Sequence, residues 1–186
     1  MRIISGYLKG KKISLPKDNN TRPLRDMVKE SIFNIINHSN KINLEIENSN
    51  ILDLFSGSGS FGLECISRGA KKVYFNENYL NAINILKKNI NSLNCGKKIH
   101  LIELDCFEAV KTINIFEEKF DLIFIDPPFK EKKVNFLLEI ILDQKVLKDN
   151  GIIIIHRDKK VKEKISEKFN IIDIRKYGLS KIIFGN

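Results

Sequence analysis

Cysteine and long apolar runs are scarce in this sequence, and their scarcity argues against several classes of protein. The chain has three cysteines, an odd number with no Cys-x-x-Cys pair, which argues against both a disulfide framework and a zinc site. No apolar run approaches the ~18 residues that a membrane span needs. The amino-terminal residues lack the apolar segment of a signal peptide. We therefore expect a cytoplasmic protein with buried thiols, no metal ion and no membrane partner.

The apolar residues that are present suffice for one sizeable α/β domain. Hydrophobic residues make up 42% of the 186 positions. After residue 48, seven short apolar strands alternate with amphipathic helices, one of them predicted over 160–169, and this pattern predicts a mostly parallel sheet covered on both faces. The last two strands are joined by a turn at Gly178 that is too short for a parallel crossover, so they must be antiparallel neighbours.

The predicted fold class is therefore α/β, with a doubly wound, seven-stranded, mostly parallel sheet. This Rossmann-like shape, closed by an antiparallel hairpin, resembles the class I S-adenosylmethionine (SAM) methyltransferase fold. A dehydrogenase would more often continue into a second, substrate-binding domain. Ahead of the sheet, two short strand-like runs around Gly6 and Gly10 predict a hairpin, and apolar residues at helical spacing predict a helix over 24–36.

Positive charge is concentrated near the amino terminus. Residues 1–29 hold six units of the net charge of +9, from eight basic and two acidic side chains. A local basic cluster is the electrostatic footprint of a polyanionic partner such as a nucleic acid. A basic tail that is merely solvated is the alternative.

A glycine-rich loop follows the first strand of the predicted sheet. The stretch "DLFSGSGSFGLE" contains Gly57, Gly59 and Gly62 in the Gly-x-Gly-x-x-Gly spacing of dinucleotide sites. Asp53 stands at the strand end, where a carboxylate suits an ammonium or sulfonium group and repels the pyrophosphate that such a loop otherwise binds. The loop therefore favours SAM over a nicotinamide cofactor, with a packing turn that binds no ligand as the alternative. The predicted cofactor-binding residues here are Asp53, Phe55, Gly57 and Gly59.

Two further acidic residues end the next two predicted strands. Glu77 is placed to accept hydrogen bonds from both hydroxyls of a ribose, which both NAD and SAM carry. Asp105 is placed to meet an adenine amino group. Asp105 and Glu108 also have the spacing of a helix capping box, and both roles are compatible. A surface carboxylate near a helix start is the alternative for Glu77.

The run Asp126-Pro127-Pro128-Phe129 at the end of the fourth strand is more specific. An exocyclic base amine is a poor nucleophile because its lone pair is delocalised into the ring. The Asp126 carboxylate and the Pro127 carbonyl would accept its two N–H groups and aim the lone pair at a methyl group, while proline fixes the carbonyl direction. Phe129 offers a flat face for an unstacked base. These four residues are the predicted catalytic residues, and they act by positioning and charge placement.

Several motifs together resemble the 16S ribosomal RNA guanine-N2 methyltransferase family, the RsmD family. They are "RIISGYLKGKKI", "TRPLRDMVKESIFN", "LDLFSGSGSFGLE", "FDLIFIDPPF" and "KYGLSKI", which span nearly the whole chain. The resemblance implies an RNA-binding extension over residues 1–38 and a SAM-dependent methyltransferase domain over 48–186. Its RNA-binding candidates are Arg2, Lys9, Lys11, Lys12, Arg22 and Lys29.

The implied activity is methyl transfer from SAM to the N2 amine of a guanine in small-subunit ribosomal RNA. The base would be flipped out of its surroundings. The implied partner is that RNA, in the small subunit or an assembly intermediate, and we expect a monomer. Three alternatives remain: an N6-adenine methyltransferase of RNA or DNA, a non-catalytic RNA-binding module, and a nicotinamide dehydrogenase.

Overall fold

The computed structural model describes residues 1–18, 23–112, 118–162 and 164–186. Its helices are α1 (Asp26–His38), α2 (Ser60–Ser67), α3 (Leu80–Leu93), α4 (Cys106–Thr112) and α5 (Val134–Asp143), with a 3₁₀ turn at Gly96–Lys98. Its strands are β1 (Asn50–Leu54), β2 (Lys72–Asn76), β3 (Ile99–Ile102), β4 (Phe120–Ile125), β5 (Leu147–Asp158), β6 (Ile171–Tyr177) and β7 (Ser180–Gly185).

The strands form one seven-stranded sheet in the order β3-β2-β1-β4-β5-β7-β6. The first five of these strands are parallel, and β7 is antiparallel to both β5 and β6. The predicted fold class and the antiparallel pairing of the last two strands are confirmed. Strand order reverses between β1 and β4, and ligands in open α/β sheets bind at the carboxyl ends of strands at such a point.

Buried side chains cover both faces of the sheet. Strand β1 is buried at all five positions, and Ile152 to Ile155 in β5 are buried in succession, as expected for parallel strands between two helical layers. One apolar cluster on the first face contains side chains of α1, α2 and α3, and the cluster on the other face contains side chains of α4 and α5.

The amino-terminal segment packs into the first of these clusters. Ile3, Leu8 and Ile13 are buried there together with apolar residues of α1. The predicted hairpin is a single antiparallel bridge between Arg2 and Lys12, with a turn between them. The stretch that looks like a polar connection in the sequence, residues 43–50, also buries the side chains of Leu44 and Ile46.

A buried carboxylate fastens this segment to α2. Glu64 is completely buried, and its two oxygens accept hydrogen bonds from the backbone N–H groups of Ile4 at 2.7 Å and Ser5 at 2.9 Å. It also accepts a bond from Arg68 Nε at 3.0 Å and lies 3.5 Å from Lys29 Nζ. The extension and the sheet therefore share one polar network as well as one apolar cluster.

The helix predicted over 160–169 is wrong for the residues described there, which contain no helix. Apolar residues at helical spacing predict a helix there, but the backbone groups of this segment form other hydrogen bonds. The Val161 carbonyl accepts a hydrogen bond from Lys181 Nζ at 3.1 Å, and the Val161 N–H donates to the Asp158 carbonyl in a turn. Tertiary contacts thus override helix propensity. No helix within the described ranges is long and apolar enough to cross a membrane.

Candidate active site

A pocket of about 690 Å³ lies at the carboxyl ends of β1, β2 and β4. The strand register explains why, because Leu54 of β1 pairs with Ile125 of β4 and the two following loops leave the sheet side by side. The predicted cofactor-binding residues that line the pocket are Asp53, Phe55, Gly57, Glu77 and Asp105. The whole run from Asp126 to Phe129 lines it as well. The topology therefore brings together residues that are far apart in the sequence.

The glycine loop owes its shape to three residues with a left-handed backbone, Phe55, Gly57 and Gly59. Gly57 has φ of 55°, and a Cβ there would meet no atom within 4 Å, so the backbone conformation alone favours glycine. Gly59 has φ of 81°, and a Cβ there would lie 2.4 Å from Leu86 Cδ1. Gly59 lies between Ser58 and Ser60, which line the pocket, and its assignment to the cofactor site stays a prediction. Gly59 lets the start of α2 pack against α3.

Asp53 is buried behind this loop. Its Oδ2 accepts a hydrogen bond from the Gly62 N–H at 3.0 Å, which joins the end of β1 to α2. Burial raises the pKa of Asp53 well above its usual range, the Gly62 N–H opposes that shift, and the charges of Asp126 and Glu77 raise the pKa further. Three carboxyl groups thus share the region of the pocket, and a cationic ligand would relieve their repulsion.

Glu77 and Asp105 both hold backbone N–H groups where the chain leaves the sheet. Glu77 Oε2 accepts from the Gly57 N–H at 2.8 Å, and Oε1 accepts from the N–H groups of Asn78 at 3.0 Å and Tyr79 at 2.9 Å. Asp105 Oδ1 accepts from the Phe107 N–H at 2.9 Å at the start of α4. Both side chains face the pocket while they shape the loops, so capping and ligand contact are compatible here.

The Asp126 side chain is held by a buried histidine. His156 Nδ1 lies 2.7 Å from Asp126 Oδ1, and His156 Nε2 lies 2.8 Å from Ser180 Oγ. His156 is only 1% exposed, whereas the Asp126 side chain is 14% exposed. The Phe129 ring stands edge-on to the imidazole, with centroids 6.3 Å apart.

The backbone of the same loop is held by the next residue of β5. Arg157 is fully buried, and its Nη1 donates to the Pro128 carbonyl at 3.3 Å while Nη2 donates to the Glu131 carbonyl at 2.7 Å. Consecutive residues of one strand therefore fix both the Asp126 side chain and the turn that follows it. The sequence contains one signal of this pair, two polar residues directly after four isoleucines at the carboxyl end of a buried strand.

Another wall of the pocket comes from the amino-terminal segment. Leu15, Pro16, Pro23 and Leu24 line the pocket beside the glycine loop. Nothing in the sequence pattern indicated this contact, because it depends on how the segment is fastened to α2. The extension is therefore part of the pocket and not only an appendage to it.

The predicted RNA-binding residues separate into two groups. Arg2, Lys9, Lys11 and Lys12 are exposed, on the hairpin-like segment. Lys29 is completely buried, and its Nζ donates to the Arg2 carbonyl at 3.0 Å and to Ser60 Oγ at 3.2 Å. Lys29 is therefore a structural cation that cannot contact RNA in this fold, which corrects its assignment.

Arg22, the remaining predicted RNA contact, lies outside the described residues. Within the described ranges, no group of three or more histidine, cysteine, aspartate and glutamate side chains is arranged to hold a metal ion. The three cysteines are free thiols, and all are buried.

Known proteins resemble this chain over most of its length. A family model described as "Conserved hypothetical protein 95" matches residues 1–186. Ribosomal RNA small subunit methyltransferase D of Haemophilus influenzae is 34% identical over 163 residues, which cover 86% of this chain and 79% of that protein. The protein of the same name from Buchnera aphidicola subsp. Baizongia pistaciae is 32% identical over 172 residues, which cover 92% of this chain and 83% of that protein.

Solved structures share the fold. The hypothetical protein TTHA0928 of Thermus thermophilus superposes with a TM-score of 0.80 and 20% identity, covering 99% of this chain and 98% of that one. SMU.776, solved in complex with S-adenosylhomocysteine (SAH), superposes with a TM-score of 0.65 and 17% identity, covering 85% of this chain and 49% of that one. At these identities the likeness establishes the architecture.

Proposed function

The chain belongs to the RsmD family of ribosomal RNA methyltransferases, and we propose that it transfers a methyl group from SAM to the exocyclic N2 amine of a guanine in small-subunit ribosomal RNA. The observation that carries this proposal is the pocket at the β1/β4 switch point, which contains both the acidic glycine loop and the Asp126–Phe129 run. We also propose that the protein acts as a cytoplasmic monomer.

The acidic residues of the pocket support SAM as the cofactor. SAM carries a sulfonium and an ammonium group, and Asp53, Glu77 and Asp126 together make the pocket suitable for positive charge. Glu77 and Asp105 would hold the ribose and adenine, beside Phe55 and Gly57. The bound SAH in SMU.776, which shares the fold, agrees with this assignment. When bound, SAM supplies a methyl group activated for nucleophilic attack.

The Asp126–Phe129 run would orient the target amine. The Asp126 carboxylate and the Pro127 carbonyl accept the two amine hydrogens, so the nitrogen lone pair points at the methyl carbon. Phe129 stacks on the flipped base. The N–C bond would form as the C–S bond of SAM breaks and SAH leaves, and the nitrogen would then lose one proton to water, so no strong base is needed. The rate would come from orientation and from the placement of charge.

Nucleoside mass spectrometry of ribosomal RNA from cells with and without this protein tests the reaction. We expect N2-methylguanosine in the small-subunit RNA to decrease when the protein is absent and to return when it is restored. A change in N6-methyladenosine would favour the adenine alternative. Unchanged methylation of this RNA, together with no transfer from SAM in a purified reaction, would overturn the proposal.

Single-turnover methyl transfer tests the role of Asp126. Asp126→Ala should lower the rate by about 10²–10³, as expected when one preorganised electrostatic partner is removed from a catalytic site. Asp126→Asn keeps a carbonyl acceptor and should retain partial activity. SAM affinity, measured by calorimetry, should change little in either variant. A wild-type rate in Asp126→Ala would refute the acceptor role.

The exposed basic residues of the extension would hold the RNA. Replacing Lys9, Lys11 and Lys12 with alanine should weaken RNA binding and flatten its dependence on salt, because fewer counterions are released. SAM affinity should stay unchanged. The matched control removes three exposed lysines outside the extension, namely Lys71, Lys119 and Lys145, which lie just before β2, β4 and β5. An equal loss of RNA affinity in both triple variants would show that only the total charge of the protein matters.

A further inference from the structure

We propose that His156 is a positioning residue for methyl transfer, which binds one oxygen of Asp126 and thereby directs the other oxygen to the substrate amine. This inference rests on the proposed function for its catalytic consequence. The hydrogen-bond arrangement itself can be tested without any methyl transfer.

The contacts show how the Asp126 carboxylate is fixed. Its Oδ1 lies 2.7 Å from His156 Nδ1, and Oδ2 has no hydrogen-bond partner among the described residues. The carboxylate lines the pocket while the imidazole behind it is 1% exposed. One oxygen is therefore bound on the protein side, and one acceptor remains for the pocket side. An amine with two N–H groups needs one acceptor from this side chain and a second from the Pro127 carbonyl.

The Asp126 carboxylate determines which nitrogen of His156 carries hydrogen, and Ser180 can accommodate that choice. An ionised carboxylate only accepts hydrogen bonds, so Nδ1 must donate to Asp126. A hydroxyl both donates and accepts, so the Ser180 Oγ–H can donate to Nε2 of the neutral ring at 2.8 Å. Ser180 lies opposite Asp158 in the β5–β7 ladder, two residues from His156 and hence on the same face of the sheet.

The ring cannot easily turn away from this arrangement. Both of its nitrogens are engaged, the Phe129 ring packs against it in a T-shaped arrangement, and the side chain is enclosed by protein. A buried polar group whose hydrogen bonds are all satisfied rigidifies its surroundings, and a lost partner leaves a costly unpaired atom. The carboxylate would thus keep the same rotamer before and after the base enters.

NMR of the imidazole nitrogens tests the hydrogen-bond arrangement in the wild-type protein without RNA. A long-range ¹H–¹⁵N spectrum distinguishes the two neutral tautomers and the cation. We expect Nδ1 of His156 to carry a hydrogen, in the neutral ring or in the cation. A neutral ring with its hydrogen on Nε2 would overturn the proposal, because Nδ1 could then not donate to the carboxylate.

Single-turnover kinetics of two variants test the catalytic consequence. His156→Phe keeps a ring but removes both nitrogens, and the methyl-transfer rate should decrease by about 10–100-fold, the scale expected when a reacting group is misplaced by an ångström or less. His156→Asn places an amide nitrogen where Nδ1 stands and should recover to within about threefold of the wild-type rate. The affinities for SAM and for RNA should remain unchanged in both variants, which a merely structural role does not predict.

The controls separate positioning from folding and from the function itself. His100→Phe changes a histidine of β3, which stacks on Tyr74 away from Asp126, and should transfer at the wild-type rate. A folded His156→Phe at the wild-type rate, or His156→Asn as slow as His156→Phe, would overturn the proposal. If the wild-type protein methylates no RNA, the proposed function fails, and the NMR result still decides the hydrogen bond. If His156→Phe does not fold, the NMR spectrum decides the hydrogen bond, and a folded His156→Asn that falls well below about one third of the wild-type rate overturns the proposal.

Discussion

Replacing Glu64 with glutamine should destabilise the protein strongly, because this carboxylate neutralises the buried Lys29 ammonium. Both side chains are 0% exposed, and their charged atoms lie 3.5 Å apart. Breaking one partner of a buried ion pair typically costs about 3–5 kcal/mol. In the wild-type protein, backbone N–H groups donate to both oxygens of Glu64. Glutamine replaces one of these oxygens with an NH₂ group, so one hydrogen bond is lost and two donors face each other. For a chain of this length, a loss of about 3–5 kcal/mol lowers Tm by about 6–20 °C.

Lys29→Met is the matched variant for this prediction. Without the Lys29 ammonium, Glu64 still accepts hydrogen bonds from the Ile4 and Ser5 N–H groups and from Arg68 Nε. We therefore expect a smaller loss of about 1–3 kcal/mol. The free energy of unfolding, measured in urea by circular dichroism, should be lowest for Glu64→Gln. A loss below about 1 kcal/mol in that variant would refute the account of the buried pair.

The cost of Glu64→Gln should also depend on pH. Burial lowers the pKa of Lys29 from its usual 10.5, and Glu64 opposes that shift. The unfolded chain therefore binds more protons than the folded one between the lowered pKa and 10.5, and Lys29 makes stability increase with pH in that window. Without Glu64 the pKa of Lys29 falls further and the window widens downwards. The difference from wild type should thus be smaller at a pH of about 9.5 than at about 7, and an equal difference would contradict this account.

Three other outcomes follow from the pocket and its loops. Glu77→Ala should weaken SAM binding in calorimetry by about 1–3 kcal/mol, as for a lost acceptor with buried partners, and tight binding of NADH in place of SAM would contradict the assignment. Gly57→Ala should lower stability by about 1 kcal/mol, because the backbone at residue 57 is left-handed. Gly59→Ala should lower stability more, because the added Cβ also collides with Leu86. Equal losses of stability in the two variants, measured by denaturation, would argue against that collision. Burial raises the pKa of all three thiols, that of Cys106 to about 12. The folded protein should therefore react slowly with a thiol reagent at neutral pH, and rapid labelling before unfolding would contradict the burial of the cysteines.

The fold was largely predictable because its signals are local. Short apolar strands alternate with amphipathic helices, and all seven predicted strands form the sheet. The exception, the helix over 160–169, failed where a side chain from β7 binds a backbone carbonyl that a helix would have used. Such a contact joins residues that are distant in the sequence, so no local pattern can reveal it.

The candidate site was predictable in its motifs and unpredictable in its support. Strand-end acids and the Asp126–Phe129 run have recognisable spacing. The roles of His156 and Arg157 depend on which loop lies beside β5, and the burial of Lys29 depends on how α1 packs on α2. A basic residue looks the same in the sequence whether it faces solvent or a buried carboxylate.

The pocket draws its parts from both ends of the chain. Leu15 and Pro16 form part of its wall, and Ser180 completes the hydrogen bonds behind Asp126. During synthesis Leu15 and Pro16 leave the ribosome first, and Glu64, which binds their segment to α2, follows much later. The hydroxyl behind His156 comes last of all. No fragment that ends before residue 180 can therefore contain the whole site, and a nascent chain gains this hydrogen-bond arrangement only after Ser180 has left the ribosome. Contacts between residues so far apart in the sequence carry a large loop-closure entropy, which slows folding.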